Sequence, residues 1–198
     1  ERWPGVFAKK YSTPFLLLAT TGLAFNLLIG WNRIVGEIHN VQMLQAQTRR
    51  DYMTTIREAR AAQNRFYEYN DVALPLAWHE GVAYYQMNQH DKSAAAFERA
   101  YQLNPWSFQV INNYASALVK TGRYREAIPL YEKVVEINPR YDDGKFNLAY
   151  VWYQVGDYPK ALEYINRIDS VPNPKTDAER QGNERLGAFR KTIEERMK

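Results

Sequence analysis

The hydrophobic pattern changes character along this chain. From Tyr11 to Asn32 no residue is formally charged, and the eighteen residues from Pro14 to Trp31 are mostly apolar. As a helix rising about 1.5 Å per residue, that run spans roughly 27 Å, close to the hydrocarbon thickness of a bilayer. The pattern predicts an N-terminal segment, 1–40, with a membrane helix over about 13–32. Pro14 is expected near the helix start, where its missing N–H costs nothing. The hydroxyls of Thr20 and Thr21 should turn back onto the preceding turn, and Asn26 should seek another helix. Trp3 and Trp31 bracket the run as interfacial aromatics do. A signal peptide fits less well, because no small-residue cleavage site follows. Burial of the run inside a protein assembly is the competing reading. Arg2, Lys9 and Lys10 on one flank outweigh Arg33, opposed by Glu37, on the other. The positive-inside bias then places the remainder of the chain outside the cytoplasm, in the periplasm, as a single-pass membrane protein.

Beyond residue 40 the pattern becomes helical and then periodic. Residues 41–73 read as a linking helix with Ile56, Ala59, Ala62 and Phe66 at helical spacing. Residues 74–107, 108–141 and 142–175 then align with a period of 34. Gly81, Ala115 and Ala149 share a column. So do Tyr84, Leu118 and Trp152; Asn88, Gly122 and Gly156; His90, Tyr124 and Tyr158; Phe97, Tyr131 and Ile165; and Pro105 with Pro139. A small residue lets a partner helix approach, and the turn column supplies a left-handed residue between paired helices. The aromatic after the turn fills the seam, and each proline closes a second helix. Turns are expected near 88–91, 121–124 and 155–158. Residues 176–198 are highly charged with a thin stripe of Leu186, Phe189, Ile193 and Met197, which predicts a capping helix with Thr176 or Asp177 as N-cap.

These columns, with "TGRYREA" at 121–127 and "VGDYPKA" at 155–161, resemble the tetratricopeptide repeat, an antiparallel helix pair of 34 residues. The first repeat departs at Asn88, which replaces the turn glycine, and at Ser93, which replaces the usual alanine. The expected fold is all-α: a membrane helix, a right-handed solenoid of about three repeats, and a cap.

Composition narrows the function. The formal charge of +4 is mild and its basic residues are interleaved with acids, which excludes nucleic acid as the expected partner. With no cysteine, disulfides and thiolate metal sites are excluded. His79-Glu80 lacks the second histidine of the zinc-protease helix motif, and His90 occupies the seam column. Asp142-Asp143-Gly144 falls at a helix start and reads as an N-cap rather than a metal site. No nucleophile motif or phosphate loop appears, so no catalytic residue, metal or cofactor is expected. The repeat resemblance implies a concave groove lined by the first helices. Its candidate partner-binding residues are Trp78, His79, Tyr85, Asn112, Asn113, Phe146, Asn147, Tyr150 and Tyr153, with Val82 and Ser116 in the same register. Members of the family that clamp a peptide carboxylate use lysine and arginine at several such places. Here those places hold Trp78, Val82, Asp143 and Asn147, and only Asn113 agrees. An aromatic and amide-rich groove suits a neutral extended peptide or a glycan, although each ring is equally suited to helix packing.

The apolar run followed by "AWHEGVAYYQMNQHDKSAAAFERAYQLNPWSFQVINNYA" also looks like the C-terminal part of O-antigen ligase-like membrane proteins that carry repeats after their last membrane helix. That resemblance spans roughly residues 12–198. It implies a parent that moves a lipid-linked polysaccharide onto an acceptor outside the cytoplasmic membrane. Its functional arginines and histidines lie upstream of the last helix, so none is carried onto this chain. The expected function is a membrane-tethered interaction module for a protein or glycan, serving as the non-catalytic part of such an enzyme. The alternative is a structural subunit of a membrane complex or filament. Whether a parent is an enzyme, and whether the chain self-associates, stay open.

Overall fold

The computed structural model describes residues 7–64, 66–70 and 73–198, with side chains in the first helix from residue 17 onward. The described residues form nine α-helices and no strand. They divide into two units, Glu1–Leu76 and Ala77–Lys198.

The first unit is a helix hairpin. α1 (Phe7–Thr48) runs without a break, so no boundary falls at residue 40 and Pro14 lies inside the helix rather than in its first turn. The charged flank of Arg2, Lys9 and Lys10, and Trp3, lie outside the described side chains. Thr20 and Thr21 donate to the Leu17 carbonyl at 3.0 and 2.8 Å. Asn26 donates to the Gly22 carbonyl at 2.8 Å, satisfying its amide within its own helix rather than on another. Among the described residues no helix is long and apolar enough to cross a membrane. The expected span of 13–32 begins among side chains outside the description.

The chain reverses at Arg50, which has φ 59°, and Asp51 caps α2 (Tyr52–Ala62) by accepting from the Thr54 N–H at 3.0 Å. Met43, Ala59, Ala62 and Leu76 form the core of this unit. Gly36 is required by close approach: a Cβ there would sit 2.5 Å from the Tyr67 ring. His39 Nδ1 meets Glu58 Oε2 at 2.7 Å. That contact, with Arg57 beside it, holds the Glu58 carboxyl below its usual range despite burial.

The second unit stacks helix pairs. α3 (Leu76–Gln86) pairs with α4 (His90–Leu103), α5 (Phe108–Lys120) with α6 (Tyr124–Ile137), and α7 (Asp142–Gln154) with α8 (Tyr158–Asn166); α9 (Asp177–Arg196) follows. The three tight turns share one device. Asn88, Gly122 and Gly156 have φ of 56°, 77° and 88°. Asparagine is the residue best able to replace glycine in that region, so the first repeat keeps the turn geometry without the glycine. Just past the first and third turns, His90 and Tyr158 lie edge-on or tilted against Tyr85 and Tyr153, at 5.3 and 5.5 Å between ring centroids. Gly81 sits under the Phe97 ring, and Ser93 Oγ donates to the Gly81 carbonyl at 2.9 Å. The serine that departs from the usual alanine therefore ties α4 to α3.

Phe97, Ile111, Leu118, Val134, Leu148 and Val151 run through one continuous core, and Ala149, Ala161, Ile165, Leu186 and Ile193 through the next. The alanines are fully buried because two helix backbones meet there. At the start of α7 the N-cap is Tyr141, which makes no side-chain cap bond. Asp142 and Asp143 occupy the first turn instead, where their charge faces the helix dipole, and Asp142 pairs with Lys145 at 2.8 Å. α9 starts with a full capping box: Thr176 accepts from the Glu179 N–H, and Glu179 accepts from the Thr176 N–H. Leu186 and Ile193 of its stripe are buried, while Met197 is exposed.

Candidate functional site

The residues expected in one groove fall into three different environments. The first is an open depression of about 220 Å³ between α3 and α5. Val82, Tyr85 and Gln86 line it from α3, Asn113 and Ser116 from α5, and the Phe97 ring from α4. None of these six side chains is charged. Ser116 Oγ lies 2.9 Å from the Tyr131 hydroxyl and donates back to the Asn112 carbonyl at 2.8 Å. Burial raises the Tyr131 hydroxyl's pKa far above the ordinary tyrosine value, so it stays a neutral hydrogen-bonding group at all physiological pH. The depression offers an aromatic wall, an apolar floor, and amides at Gln86 and Asn113 that both donate and accept.

The second environment is the packed wall of the first repeat. His79 is buried rather than lining a groove. Its ring meets Trp78 edge-on at 5.0 Å, and desolvation lowers its pKa from 6.5 to about 4. It is a neutral core imidazole at pH 7, so its expected role in binding is corrected to a packing one. Trp78 is half-buried against the same core, with its indole N–H enclosed. Asn112 also turns inward: its amide oxygen is buried without a hydrogen-bond partner.

The third environment is the face of α7. Phe146, Tyr150 and Tyr153 surround Phe189 of α9, with ring centroids at 5.3, 6.3 and 5.5 Å. The Arg185 guanidinium stacks over Phe146 at 4.5 Å. Three rings expected to await a partner are thus engaged by the chain's own last helix. Asn147 stays half-buried on the same helix. Of the nine expected residues, Tyr85 and Asn113 meet in one cavity. Gln86 lies there too, although the register of the repeat did not single it out. Its only sequence signal is its place one turn after Val82 on the same helix face.

Among the described residues no cluster of three or more histidine or acidic side chains is arranged to hold a metal. The depression presents hydrogen-bonding amides at Gln86 and Asn113 beside the Tyr85 ring.

Comparisons with known proteins agree with this architecture. Residues 75–105 and 114–174 match family models described as tetratricopeptide repeat. Among curated proteins, the peroxisomal targeting signal receptor of Saccharomyces cerevisiae is 26% identical over 97 residues, covering 49% of this chain and 16% of that one. A small glutamine-rich tetratricopeptide repeat-containing protein of Mycosarcoma maydis is 28% identical over 105 residues, covering 53% of this chain and 29% of that one. The chain thus spans less than a third of either relative. Among solved structures, the 41-to-end fragment of MamA from Desulfovibrio magneticus superposes with a TM-score of 0.64 at 17% identity, covering 82% of this chain and 90% of that one. The type III secretion translocator chaperone SycD of Yersinia enterocolitica does so at 0.54 and 14%, covering 60% and 81%. These two likenesses establish the fold.

Proposed function

We propose, for a chain whose residues 75–105 and 114–174 are tetratricopeptide repeats, that the array is a protein-binding module holding an extended, uncharged peptide segment between α3 and α5. The observation that carries this reading is the uncharged lining of the depression there. A charged terminus or side chain would lose hydration in it with no counter-charge to offset the loss. An extended backbone presents alternating N–H and C=O groups, which Gln86 and Asn113 can both meet. Tyr85 supplies contact area at small entropic cost. The glycan and ligase expectations gain nothing from this geometry, and neither curated relative named above is a ligase.

The test uses the full chain and a displayed library of about ten-residue peptides. Tyr85→Ala and Asn113→Ala should each weaken a selected peptide by about 1–3 kcal/mol in calorimetry. Their melting curves should stay close to wild type. Arg125→Ala, exposed on α6, is the control. Selected peptides that bind the Asn113→Ala variant as tightly as wild type would remove the reading.

The same module is proposed to be membrane-tethered through α1, with the repeats on the extracytoplasmic side. Leu17, Leu18, Leu23, Phe25, Leu27 and Leu28 support it, each keeping more than half of its surface exposed. Removal of residues 1–28 should release the chain from carbonate-washed membranes. The cut stops there because the Asn32 carbonyl accepts from Asn64, so later residues belong to the hairpin.

A further inference from the structure

A hydroxyl carries one hydrogen, and where that hydrogen goes fixes what the group can still offer a ligand. Ser116 lines the depression between α3 and α5, and its Oγ lies 2.8 Å from the Asn112 carbonyl one turn before it. A carbonyl oxygen only accepts, so the Ser116 hydrogen is spent there. The Tyr131 hydroxyl, 2.9 Å from the same Oγ, is then the donor of the second contact. Burial keeps Tyr131 protonated, so that hydrogen is always present. Ser116 Oγ is left with one lone pair and no hydrogen, and toward the depression it accepts and cannot donate. The Asn112 amide oxygen, four residues earlier on the same face of α5, is a second acceptor buried without a donor. The other polar groups of the lining differ. The amides of Gln86 and Asn113 both donate and accept, and neither is charged.

The geometry points to this depression as a subsite for one carboxamide side chain, glutamine or asparagine, of the bound peptide. The inference rests on the peptide-binding reading above and names the residue that the site selects. The space, about 220 Å³, is smaller than the ~300–1,000 Å³ of small-molecule pockets and is on the scale of one side chain. A carboxamide matches the lining at both ends. Its NH2 donates to the free lone pair of Ser116 Oγ. Its carbonyl accepts from the Asn113 amide, a neighbour of Ser116 on the surface of α5. Its methylenes cover Val82 and the Phe97 ring, and Gln86 stays available to the peptide backbone. The competing side chains each fail on one count. A carboxylate brings only lone pairs to an oxygen that has no hydrogen to give, and it finds no cation in the lining. A lysine or arginine finds no counter-charge there. An alkyl chain of similar size strips water from Ser116 Oγ and puts nothing in its place. A serine or threonine hydroxyl reaches one partner and leaves most of the space empty.

The probes are peptides that the full chain selects from the displayed library and that Tyr85→Ala and Asn113→Ala both weaken. They should share a glutamine or asparagine at one position. Replacing that residue by its acid, or a glutamine by methionine, should weaken binding to the wild-type chain about tenfold or more in calorimetry. In Ser116→Ala the glutamine and methionine peptides should bind within about twofold of each other, because alanine accepts nothing. The gap to the acid peptide should narrow there too, because the Tyr131 hydroxyl regains a free hydrogen. Tyr131→Phe should keep the preference, since Ser116 leaves its hydrogen on the Asn112 carbonyl and gains a lone pair. Melting curves check the fold of both variants, and the peptide exchanges on the wild-type chain decide independently of them. Carboxamide and acid peptides bound equally by the wild-type chain would overturn the inference and leave the peptide-binding module standing. So would a preference that survives Ser116→Ala, or one lost in a normally folded Tyr131→Phe chain. A library that yields no peptide dependent on Tyr85 and Asn113 would instead remove the peptide-binding reading, and this inference with it.

Discussion

Gly81→Ala tests the packing of the first repeat against a simple propensity argument. In an exposed helix, alanine for glycine stabilises by about 0.8–1 kcal/mol, because glycine loses more backbone freedom on folding. At Gly81 the added Cβ would lie 2.6, 2.7 and 2.9 Å from three atoms of the Phe97 ring. That ring is fully buried in the main core and cannot swing away without displacing other core side chains. Overpacking of this kind costs about 1–3 kcal/mol. The net expectation is a loss of about 1 kcal/mol, against a gain of similar size at Gly187 of α9, where nothing lies within 4 Å of the added atom. Urea unfolding followed by circular dichroism reads both, with unchanged slopes marking unchanged compactness. A Gly81→Ala, Phe97→Leu double variant should lose less than the sum of the single changes, because the smaller side chain makes room. If Gly81→Ala stabilises as much as Gly187→Ala, the seam is looser than these distances imply and the reasoning fails.

Ala127→Asp or Ala161→Asp should unfold the neighbouring helices, since each buries an unpaired carboxylate at a cost of several kcal/mol; unchanged thermal melting in both would refute the stacking register. His79 has a folded pKa of about 4 against 6.5 unfolded, so protons bind the unfolded chain preferentially. Its stability contribution is whole above pH 6.5 and is lost as pH falls toward 4, by about 3 kcal/mol in all, and a His79→Asn chain should show a flatter melting profile over that window. Phe189→Ala should cost about 2 kcal/mol, less than a fully buried ring would, and should bare Phe146, Tyr150 and Tyr153, read as increased binding of a hydrophobic dye. Thr176→Ala removes one half of the capping box and should lower stability by about 1 kcal/mol, seen first as faster amide exchange at the start of α9.

Much of the repeat array was legible in the sequence because its rules are local. The turn column of Asn88, Gly122 and Gly156 encodes a left-handed residue, and all three have positive φ. The alanine and glycine columns encode close helix approach, and Ala115, Ala149 and Gly81 are all buried. Thr176, one of the two N-cap candidates the residues offered, does cap α9. Each of these depends on steric or hydrogen-bonding constraints that span a turn or one helix pair, so the pattern of residues states them directly. What the sequence could not assign was the partner of each side chain. The same aromatic at helical spacing serves a groove or a core. Only the path of α9 decided that Phe189 meets Phe146, Tyr150 and Tyr153, and only packing decided that His79 points inward while Asn113 lines a cavity. The length of α1 and the exposed side chains along it emerged the same way. A period is a property of one segment, whereas exposure depends on what the rest of the chain brings against it.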